Sequence, residues 1–301
     1  MPTQLQAIAL RSYAKINLGL HILGKRPDGY HEVRTILQTI ALHDRLILKR
    51  KRTRGIQFSS NEPGIDPADN LVVRAIKLFQ RQTGVSGGLT AKLEKAIPLG
   101  AGLGGGSSNA AATLLGLARL FRLDLRGSDL LPWAGELGSD VPFFLVGGTA
   151  LGIGRGSEVY PLEELPKRHV LLAIPSSGVS TAEAYGRLSL QLTNTHPESM
   201  IPRFCSAFWA SLERQKVPGN DFEPVFFEDS LQLRTVKGDW LAAGAVAAGL
   251  TGSGSALFGL FEQKWELAQA VSKAAGLDLR FIQTRTLGRT AYHSGIVEFL
   301  Q

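Results

Sequence analysis

The chain has one cysteine, Cys205, among its 301 residues, so no disulfide can form within it. A lone thiol is typical of proteins in the reducing cytoplasm, which is the location we expect. No apolar run approaches the ~20 residues that a membrane-spanning helix needs. The first residues, Met-Pro-Thr-Gln-Leu-Gln, lack the basic and apolar regions of a signal peptide. The six histidines are scattered and give no spacing typical of a zinc site.

The formal net charge is +7, which favours an anionic partner such as a nucleotide or a nucleic acid. Part of this excess lies in one basic run, residues 49–54. No aromatic residue alternates with these charges. We therefore interpret the run as the solvated end of a hairpin between strands at 46–48 and 56–58 rather than as a nucleic-acid site. Hydrophobic residues make up 44% of the chain, as in globular proteins, and the length suffices for two domains.

Five glycines fall within the seven residues from Gly100 to Gly106. A predicted strand at 89–96 leads into them, and an apolar helical pattern at 110–121 follows. Residues 107–109, Ser-Ser-Asn, are all good N-cap types, so we expect the glycines to open a helix. A helix N-terminus offers free backbone N–H groups, and glycine allows the close approach of a ligand. The pattern indicates a cradle for phosphates more than a flexible linker. No Lys follows, as it would in a Walker A loop.

Residues 13–22 alternate between apolar and other residues, which predicts a strand with one buried face. Lys15 and Asn17 then lie side by side on the opposite face. From the pattern alone, Lys15 is either an ordinary surface lysine or a functional cation for the glycine loop. Asp140 lies among small and apolar residues, where a carboxylate either caps a local turn or has a chemical role.

The second half of the chain begins after a polar, proline-marked connector at 161–168. We therefore predict two domains, residues 1–164 and 165–301. With its inserted helices removed, the second has the order β-α-β-β-α-β of a ferredoxin-like unit. One predicted helix covers about 221–233, after an Asn-Asp pair that would cap it. The glycine-rich segment 249–256 is either a simple hairpin turn between the two central strands or part of a site.

Three segments together resemble the motifs of the GHMP kinases, which include galactokinase, homoserine kinase and mevalonate kinase. They are Ala-Lys-Ile-Asn-Leu-Gly-Leu from residue 14, Pro-Leu-Gly-Ala-Gly-Leu-Gly-Gly-Gly-Ser-Ser-Asn-Ala-Ala from residue 98, and Gly-Leu-Thr-Gly-Ser-Gly-Ser-Ala from residue 249. The first motif, followed by Arg-Pro-Asp-Gly-Tyr-His, is most similar to the branch that acts on a diphosphocytidyl sugar alcohol. Ser-Asp-Val-Pro-Phe from residue 139 is similar to the segment that carries the family's catalytic aspartate.

The resemblance implies an α+β fold with two parts, an N-terminal ribosomal-protein-S5-domain-2-like domain and a C-terminal ferredoxin-like domain. It also implies roles for individual residues. Lys15 and Asp140 would be catalytic. The acceptor would be bound by Asn17, Tyr30, His31 and Tyr185. For Tyr185, the alternative is an ordinary half-buried residue of a helix. Gly252, Ser253 and Gly254 would fold back over the phosphate loop. The ATP-binding residues would be Pro98, Leu99, Gly100, Ala101, Gly102, Leu103, Gly104, Gly105, Gly106, Ser107 and Ser108.

The implied reaction is phosphorylation by ATP and Mg²⁺ of the 2-hydroxyl of 4-diphosphocytidyl-2-C-methyl-D-erythritol, in the non-mevalonate route to isoprenoids. Its partner would be this small molecule, with no nucleic acid and no membrane; the oligomeric state is left open, as are the ligands of Mg²⁺. One alternative is a GHMP kinase that acts on homoserine or a mevalonate derivative. Another is a basic RNA-binding protein, since part of a ribosomal protein shares the first domain's fold.

Overall fold

The computed structural model describes residues 6–176, 181–188, 201–213, 219–274 and 276–298. The strands are β1 (Ala7–Lys25), β2 (His31–Lys51), β3 (Ile56–Ser60), β4 (Gly88–Glu94), β5 (Thr149–Ile153), β6 (Glu158–Pro161), β7 (His169–Pro175), β8 (Ala247–Leu250), β9 (Leu257–Phe261), β10 (Leu279–Arg285) and β11 (Val297–Glu298). The helices are α1 (Leu71–Thr83), α2 (Gly105–Phe121), α3 (Gly127–Leu137), α4 (Phe143–Val146), α5 (Thr181–Leu188), α6 (Ile201–Glu213), α7 (Glu223–Asp229), α8 (Leu231–Ala242), α9 (Lys264–Lys273) and α10 (Arg289–Gly295).

The long antiparallel pair β1 and β2 forms the centre of a seven-stranded sheet. The strand order is β11-β1-β2-β4-β3, and β5 pairs with another part of β2 and with β6. The pairing of β1 with β2 shifts register at Tyr13/Ala14, Asn17/Gly19 and Ile22/Gly24. Such irregularities bend a strand and increase its twist. Different parts of the pair can therefore contact both halves of the molecule.

The second sheet has the order β10-β7-β9-β8, with all neighbours antiparallel. Renumbered within this unit, the order is 4-1-3-2, and the chain visits its strands as β-α-β-β-α-β once the additional helices are set aside. This is the ferredoxin-like arrangement that the sequence predicts. The α+β fold is confirmed.

Three apolar clusters hold these layers together. One side of the first sheet packs on α1, α2 and α3. The other side, including Ile16 and Ile36, packs on Leu172 and Phe258 of the second sheet and on Phe204 of α6. A third cluster joins the far end of the β1–β2 pair to the helices of the second half. As a consequence, every residue of β1 from 12 to 22 is buried. The expectation that this strand has only one buried face is therefore wrong, because two layers cover it.

Three local predictions are corrected. The basic run 49–54 does not close a hairpin, because β4 lies between β2 and β3 and pairs in parallel with β3. Gly104, with φ +69°, is the N-cap of α2, so residues 107–109 lie inside the helix instead of capping it. The helix predicted at 221–233 is two helices, α7 and α8, which meet at Ser230.

The end of the chain returns to the first sheet. β11 pairs antiparallel with β1, and the Arg11 N–H donates to the carbonyl of Ile296. Residues 289–298 therefore pack with the first half of the chain although they follow the second sheet. None of the helices in the described part of the chain is long and apolar enough to cross a membrane.

Candidate active site

Lys15 lies in the middle of β1, with its side chain almost fully buried. Its ammonium nitrogen Nζ is 2.6 Å from Oδ1 of Asn17 and 3.3 Å from Oδ2 of Asp140. Residues two apart in a strand share a face, which explains why Lys15 and Asn17 meet. The predicted adjacency of these two side chains is confirmed. The lysine is a buried cation at the centre of a polar site and not surface decoration.

Asp140 belongs to the loop between α3 and α4. Helix α3 ends at Leu137, with Gly138 as its C-cap residue, and α4 begins at Phe143. The side chain of Asp140 is 36% exposed, whereas that of Lys15 is 4% exposed. The carboxylate therefore has one side toward the lysine and another side open to an incoming ligand.

The glycine loop reaches the same place from the opposite direction. Lys15 donates its backbone N–H to the carbonyl of Leu103 at 3.0 Å. A Cβ atom added to Gly104 would lie 3.0 Å from Cγ of Lys15 and 2.9 Å from the ring of Phe144. Glycine is therefore required there both by its positive φ and by close contact. The loop ends at the N-terminus of α2, whose first N–H groups have no acceptors within the helix.

Ser108, in the first turns of α2, has a hydroxyl oxygen that is buried and has no hydrogen-bond partner among the described residues. A buried hydroxyl normally has a partner, so this one is available to a ligand at the helix start. A cleft of about 240 Å³ opens at the start of α2, lined by Asp69, Asn70 and Gly106 among others. In the described ranges, no group of three or more His, Cys, Asp or Glu side chains is placed to hold a metal ion.

The turn at residues 251–254 lies against the glycine loop. The hydroxyl of Thr251 lies 3.2 Å from the carbonyl oxygen of Gly102. A Cβ atom added to Gly102, where φ is +72°, would lie only 2.1 Å from the carbonyl oxygen of Thr251. A Cβ atom on Gly252 would be 3.5 Å from Nζ of Lys15. Strand β1, the glycine loop and the turn at residues 251–254 thus come together at the ammonium group of Lys15.

Three aromatic side chains lie further along the β1–β2 pair. Tyr30 is half exposed, and the guanidinium of Arg155 lies 5.2 Å from its ring centre. His31 stacks on Tyr185 with ring centres 4.6 Å apart, so the two are already in contact and no further ring lies between them. The structure therefore covers one face of Tyr185 with His31 and leaves Tyr30 separate and accessible.

The charge of Asp140 also acts on the nearest of these rings. Burial, together with the negative charge of Asp140, raises the pKa of Tyr185 to about 12. Its hydroxyl is thus a permanent donor near neutral pH. Burial, and secondarily the positive charge of Lys25, lowers the pKa of His31 below its usual value. The neutral ring of His31 carries a buried Nε2 with no partner among the described residues. It offers a ligand one hydrogen-bonding position.

Sequence reasoning missed the groups that hold these side chains in place. Thr35 of β2 accepts a hydrogen bond from the Asn17 amide, and Thr251 accepts one from the Asn17 backbone N–H. Asp44 is fully buried and forms an ion pair with Lys95. Spacing gives no signal for these contacts, because the partners are distant in the chain and their residue types are common.

Asp44 forms hydrogen bonds with residues at both ends of the glycine loop. Its Oδ1 accepts hydrogen bonds from the N–H groups of Ala96 and Ile97, both at 2.8 Å, before the loop. Its Oδ2 accepts one from the amide of Asn109 at 2.9 Å, in α2. A single carboxylate thus binds both the entry and the exit of the loop, with the charge of Lys95 beside it.

The family can be established from comparisons with known proteins. The sequence model for the GHMP kinases N terminal domain matches residues 70–148. A 4-diphosphocytidyl-2-C-methyl-D-erythritol kinase of Solibacter usitatus is 45% identical over 87% of this chain and 84% of its own length. The chain belongs to the 4-diphosphocytidyl-2-C-methyl-D-erythritol kinase family. The enzyme of the same name from Pelotomaculum thermopropionicum is 38% identical and covers 91% of this chain and 96% of its own length.

Solved structures agree with this membership of the 4-diphosphocytidyl-2-C-methyl-D-erythritol kinase family. A crystal structure of 4-(cytidine 5'-diphospho)-2C-methyl-D-erythritol kinase superposes with a TM-score of 0.77 at 34% identity, covering 93% of this chain and all of the other. Homoserine kinase from Cytophaga hutchinsonii superposes with a TM-score of 0.71 at 19% identity, covering 96% of both chains, and shows the shared fold alone. The resemblance drawn from the motifs is confirmed.

Proposed function

We propose that this chain transfers the γ-phosphoryl group of ATP to the 2-hydroxyl of 4-diphosphocytidyl-2-C-methyl-D-erythritol, in the non-mevalonate route to isoprenoids. The observation that carries the proposal is the Lys15–Asp140 pair, with Nζ 3.3 Å from Oδ2, directly beside the glycine loop. Phosphoryl transfer needs positioning and charge stabilisation more than covalent catalysis. The buried ammonium group of Lys15, the partly exposed carboxylate of Asp140 and the N-terminus of α2 supply positioning and charge stabilisation in one place.

In this mechanism Asp140 accepts the proton of the acceptor hydroxyl while the hydroxyl oxygen bonds to the γ-phosphorus. The bond from the γ-phosphorus to the bridging oxygen breaks, and that oxygen leaves with ADP. Lys15 holds the carboxylate of Asp140 in place through their ion pair and stabilises the negative charge on the transferring group. The backbone N–H groups of residues 102–106 hold the phosphates, since the dipole of α2 favours anions there.

Mg²⁺ fits the same place. The unpartnered hydroxyl of Ser108 at the start of α2 is a hard oxygen ligand, of the kind that Mg²⁺ takes together with phosphate oxygens. Ser107, its neighbour, is the other candidate. When bound, the ion neutralises phosphate charge. The cleft lined by Asp69, Asn70 and Gly106 gives the nucleoside part of ATP room beside the loop.

The acceptor would be selected by its cytosine. Tyr30, half exposed, offers an open aromatic face for stacking, and His31 offers its unpartnered Nε2 to the edge of the base. Tyr185 would contribute from behind His31, on which it stacks. Asn17 would act at the other end of the acceptor, beside Lys15. These assignments distinguish the proposal from a kinase that acts on homoserine or mevalonate, because neither molecule contains a nucleobase.

Two organisational features complete the proposal. The division into residues 1–164 and 165–301 is supported by the two sheets, since β1 to β6 end at Pro161 and β7 begins at His169. The pairing of β11 with β1 is the exception to this division. A cytoplasmic location is supported by the single cysteine.

The test is ADP release by the purified protein with ATP, Mg²⁺ and four acceptors in turn. These are 4-diphosphocytidyl-2-C-methyl-D-erythritol, the corresponding methylerythritol phosphate without the cytidylyl group, homoserine and mevalonate. We expect rapid turnover of the first alone. Ready phosphorylation of homoserine or mevalonate, with none of the cytidylyl compound, would leave a kinase but refute the named acceptor.

A further inference from the structure

The amide of Asn17 has only one possible orientation, and this follows from its neighbours. The carbonyl of Gly19 can only accept, so the hydroxyl of Thr35, 2.8 Å away, donates its proton there. Thr35 is then left with acceptor capacity, and the NH₂ group of Asn17 donates to it at 2.7 Å. The other end of the amide, Oδ1, consequently faces the ammonium of Lys15 at 2.6 Å. Thr35 thus ensures that Lys15 faces the oxygen, and not the nitrogen, of the Asn17 amide.

The hydroxyl of Thr251 holds the same asparagine from the other side. Thr251 is fully buried and follows β8 directly. Its Oγ1 accepts the backbone N–H of Asn17 at 3.0 Å. Its one proton has two acceptors in reach, Oδ1 of Asn17 at 3.3 Å and the carbonyl of Gly102 at 3.2 Å. A single hydroxyl therefore touches the partner of Lys15 and the backbone of the glycine loop.

The turn that carries this hydroxyl is fixed independently of it. The amide of Asn220 donates to the carbonyls of Leu250 and Gly252, both at 2.8 Å. Glu223 accepts the N–H of Leu250 at 2.9 Å and pairs with Lys237. These contacts do not involve the side chain of Thr251. Removal of its hydroxyl alone therefore leaves the turn over the loop, which makes its contribution separable.

We propose that Thr251 is a positioning residue for phosphoryl transfer: its hydroxyl sets the ammonium of Lys15, through Asn17, at a fixed place relative to the glycine loop. The proposal rests on the proposed kinase function. Lys15 is the group that must meet both Asp140 and the transferring phosphoryl. A small error in its position affects the transition state far more than the binding of either substrate, because effective catalysis requires close alignment of the reacting groups.

The experiment compares Thr251→Val with Thr251→Ser and with Thr286→Val. Valine has nearly the shape of threonine without the hydroxyl, and serine restores the hydroxyl. Thr286 is the matched control, because it is also buried and its hydroxyl also accepts a backbone N–H, that of Arg168 at 3.0 Å. We expect kcat to fall by about tenfold or more in Thr251→Val, with KM for ATP and for the acceptor within about threefold of the wild type. Thr251→Ser and Thr286→Val should both keep a kcat within about threefold.

A second comparison separates positioning from general loosening of the structure. In a Lys15→Met background, Thr251→Val should lower kcat by less than about twofold further, because the hydroxyl acts through the lysine. A full additional tenfold loss there would overturn the proposal. It would also be overturned by a wild-type kcat in Thr251→Val, or by a failure of Thr251→Ser to restore activity in a folded protein.

An NMR measurement tests the role of Thr251 without any phosphoryl acceptor. The side-chain ¹⁵N signal of Lys15, assigned by its loss in Lys15→Met, should shift in Thr251→Val and stay unchanged in Thr286→Val. If the wild type phosphorylates a different acceptor, the proposed function fails, but the kinetic comparison is made with that acceptor. If it phosphorylates none of those tested, the NMR signal alone decides, and an unshifted signal refutes the role of Thr251.

Discussion

Nζ of Lys15 and Oδ2 of Asp140 lie 3.3 Å apart, yet one side chain is 4% exposed and the other 36%. The pair thus joins an ammonium group fixed within the protein to a carboxylate that a ligand can reach. Because a positioned general base contributes typically ~10²–10⁴ to the rate, we expect Asp140→Asn to reduce kcat by about that factor.

Binding of ATP and of the acceptor to Asp140→Asn, measured by calorimetry, should persist. Lys15→Met should also cripple turnover, and the double variant should be little slower than either single variant, since residues that act as a unit are not additive. A nearly active Asp140→Asn enzyme would remove Asp140 from the role of base.

Gly102→Ala should weaken ATP binding, and Gly84 provides the matched control. Both glycines have a positive φ, +72° and +70°, so alanine at either position carries a similar backbone penalty of about 1–2 kcal/mol. Only at Gly102 does the added Cβ meet an obstacle, the carbonyl of Thr251 at 2.1 Å; at Gly84, the C-cap residue of α1, nothing lies within 4 Å. We expect at least a roughly tenfold loss of ATP affinity in Gly102→Ala and little change in Gly84→Ala. Equal effects in the two variants would contradict a role for the contact with the turn.

Tyr30→Ala should raise KM for the cytidylyl acceptor by about tenfold or more, since stacking contributes about 1–3 kcal/mol per base. Tyr30→Phe retains the ring and serves as the control, with KM expected to stay close to the wild-type value. KM for ATP should not change in either variant, because the glycine loop is a separate part of the site. If Tyr30→Ala binds the acceptor as tightly as the wild type does, the base is held elsewhere.

Asp44→Ala should destabilise the protein more than any surface charge change. It would leave the buried ammonium of Lys95, two backbone N–H groups and the amide of Asn109 without their acceptor. Removing one partner of a buried ion pair costs about 3–5 kcal/mol in the free energy of unfolding. The control is Glu136→Ala, which breaks the exposed pair with Arg81 and should cost less than about 1 kcal/mol. Urea denaturation measures both, and similar midpoints for the two variants would refute this assignment.

His31 should make stability depend on pH. Its folded-state pKa lies below its ordinary value, so the folded protein resists protonation of this ring while the unfolded chain does not. The contribution of His31 is therefore complete above about pH 6.5 and is lost as the pH falls through the folded-state pKa. Relative to His31→Gln, the wild type should lose thermal stability between about pH 7.5 and about pH 5. A constant difference in Tm across this interval would contradict the expectation.

The sequence alone predicts those parts of the site that depend on local pattern. Glycine spacing between a strand and an apolar helix predicts the loop at 100–106, and period two predicts that Lys15 and Asn17 share a face. The ferredoxin-like order is likewise evident in the succession of elements. These features are local because strand and helix periodicity is a property of neighbouring residues.

Other features depend on pairings between distant segments, for which local pattern carries no information. The insertion of β4 between β2 and β3, the burial of both faces of β1 and the pairing of Asp44 with Lys95 all belong to this class. The N-cap of α2 differs from the prediction for another reason. Ser-Ser-Asn are favourable cap residues, but the left-handed backbone at Gly104 ends the loop one residue before Gly105 begins the helix.

The parts of the site are synthesised at very different times. Lys15, Asn17 and Thr35 lie within one local hairpin, and contacts between residues close in sequence form early in folding. Thr251, in contrast, lies 234 residues beyond Asn17. Chains are made from the N-terminus, so a chain halted on the ribosome before residue 250 contains both Lys15 and Asp140 but not the turn that contacts the glycine loop. Kinase activity should therefore emerge only near the end of translation, and N-terminal fragments released by premature termination should be inert.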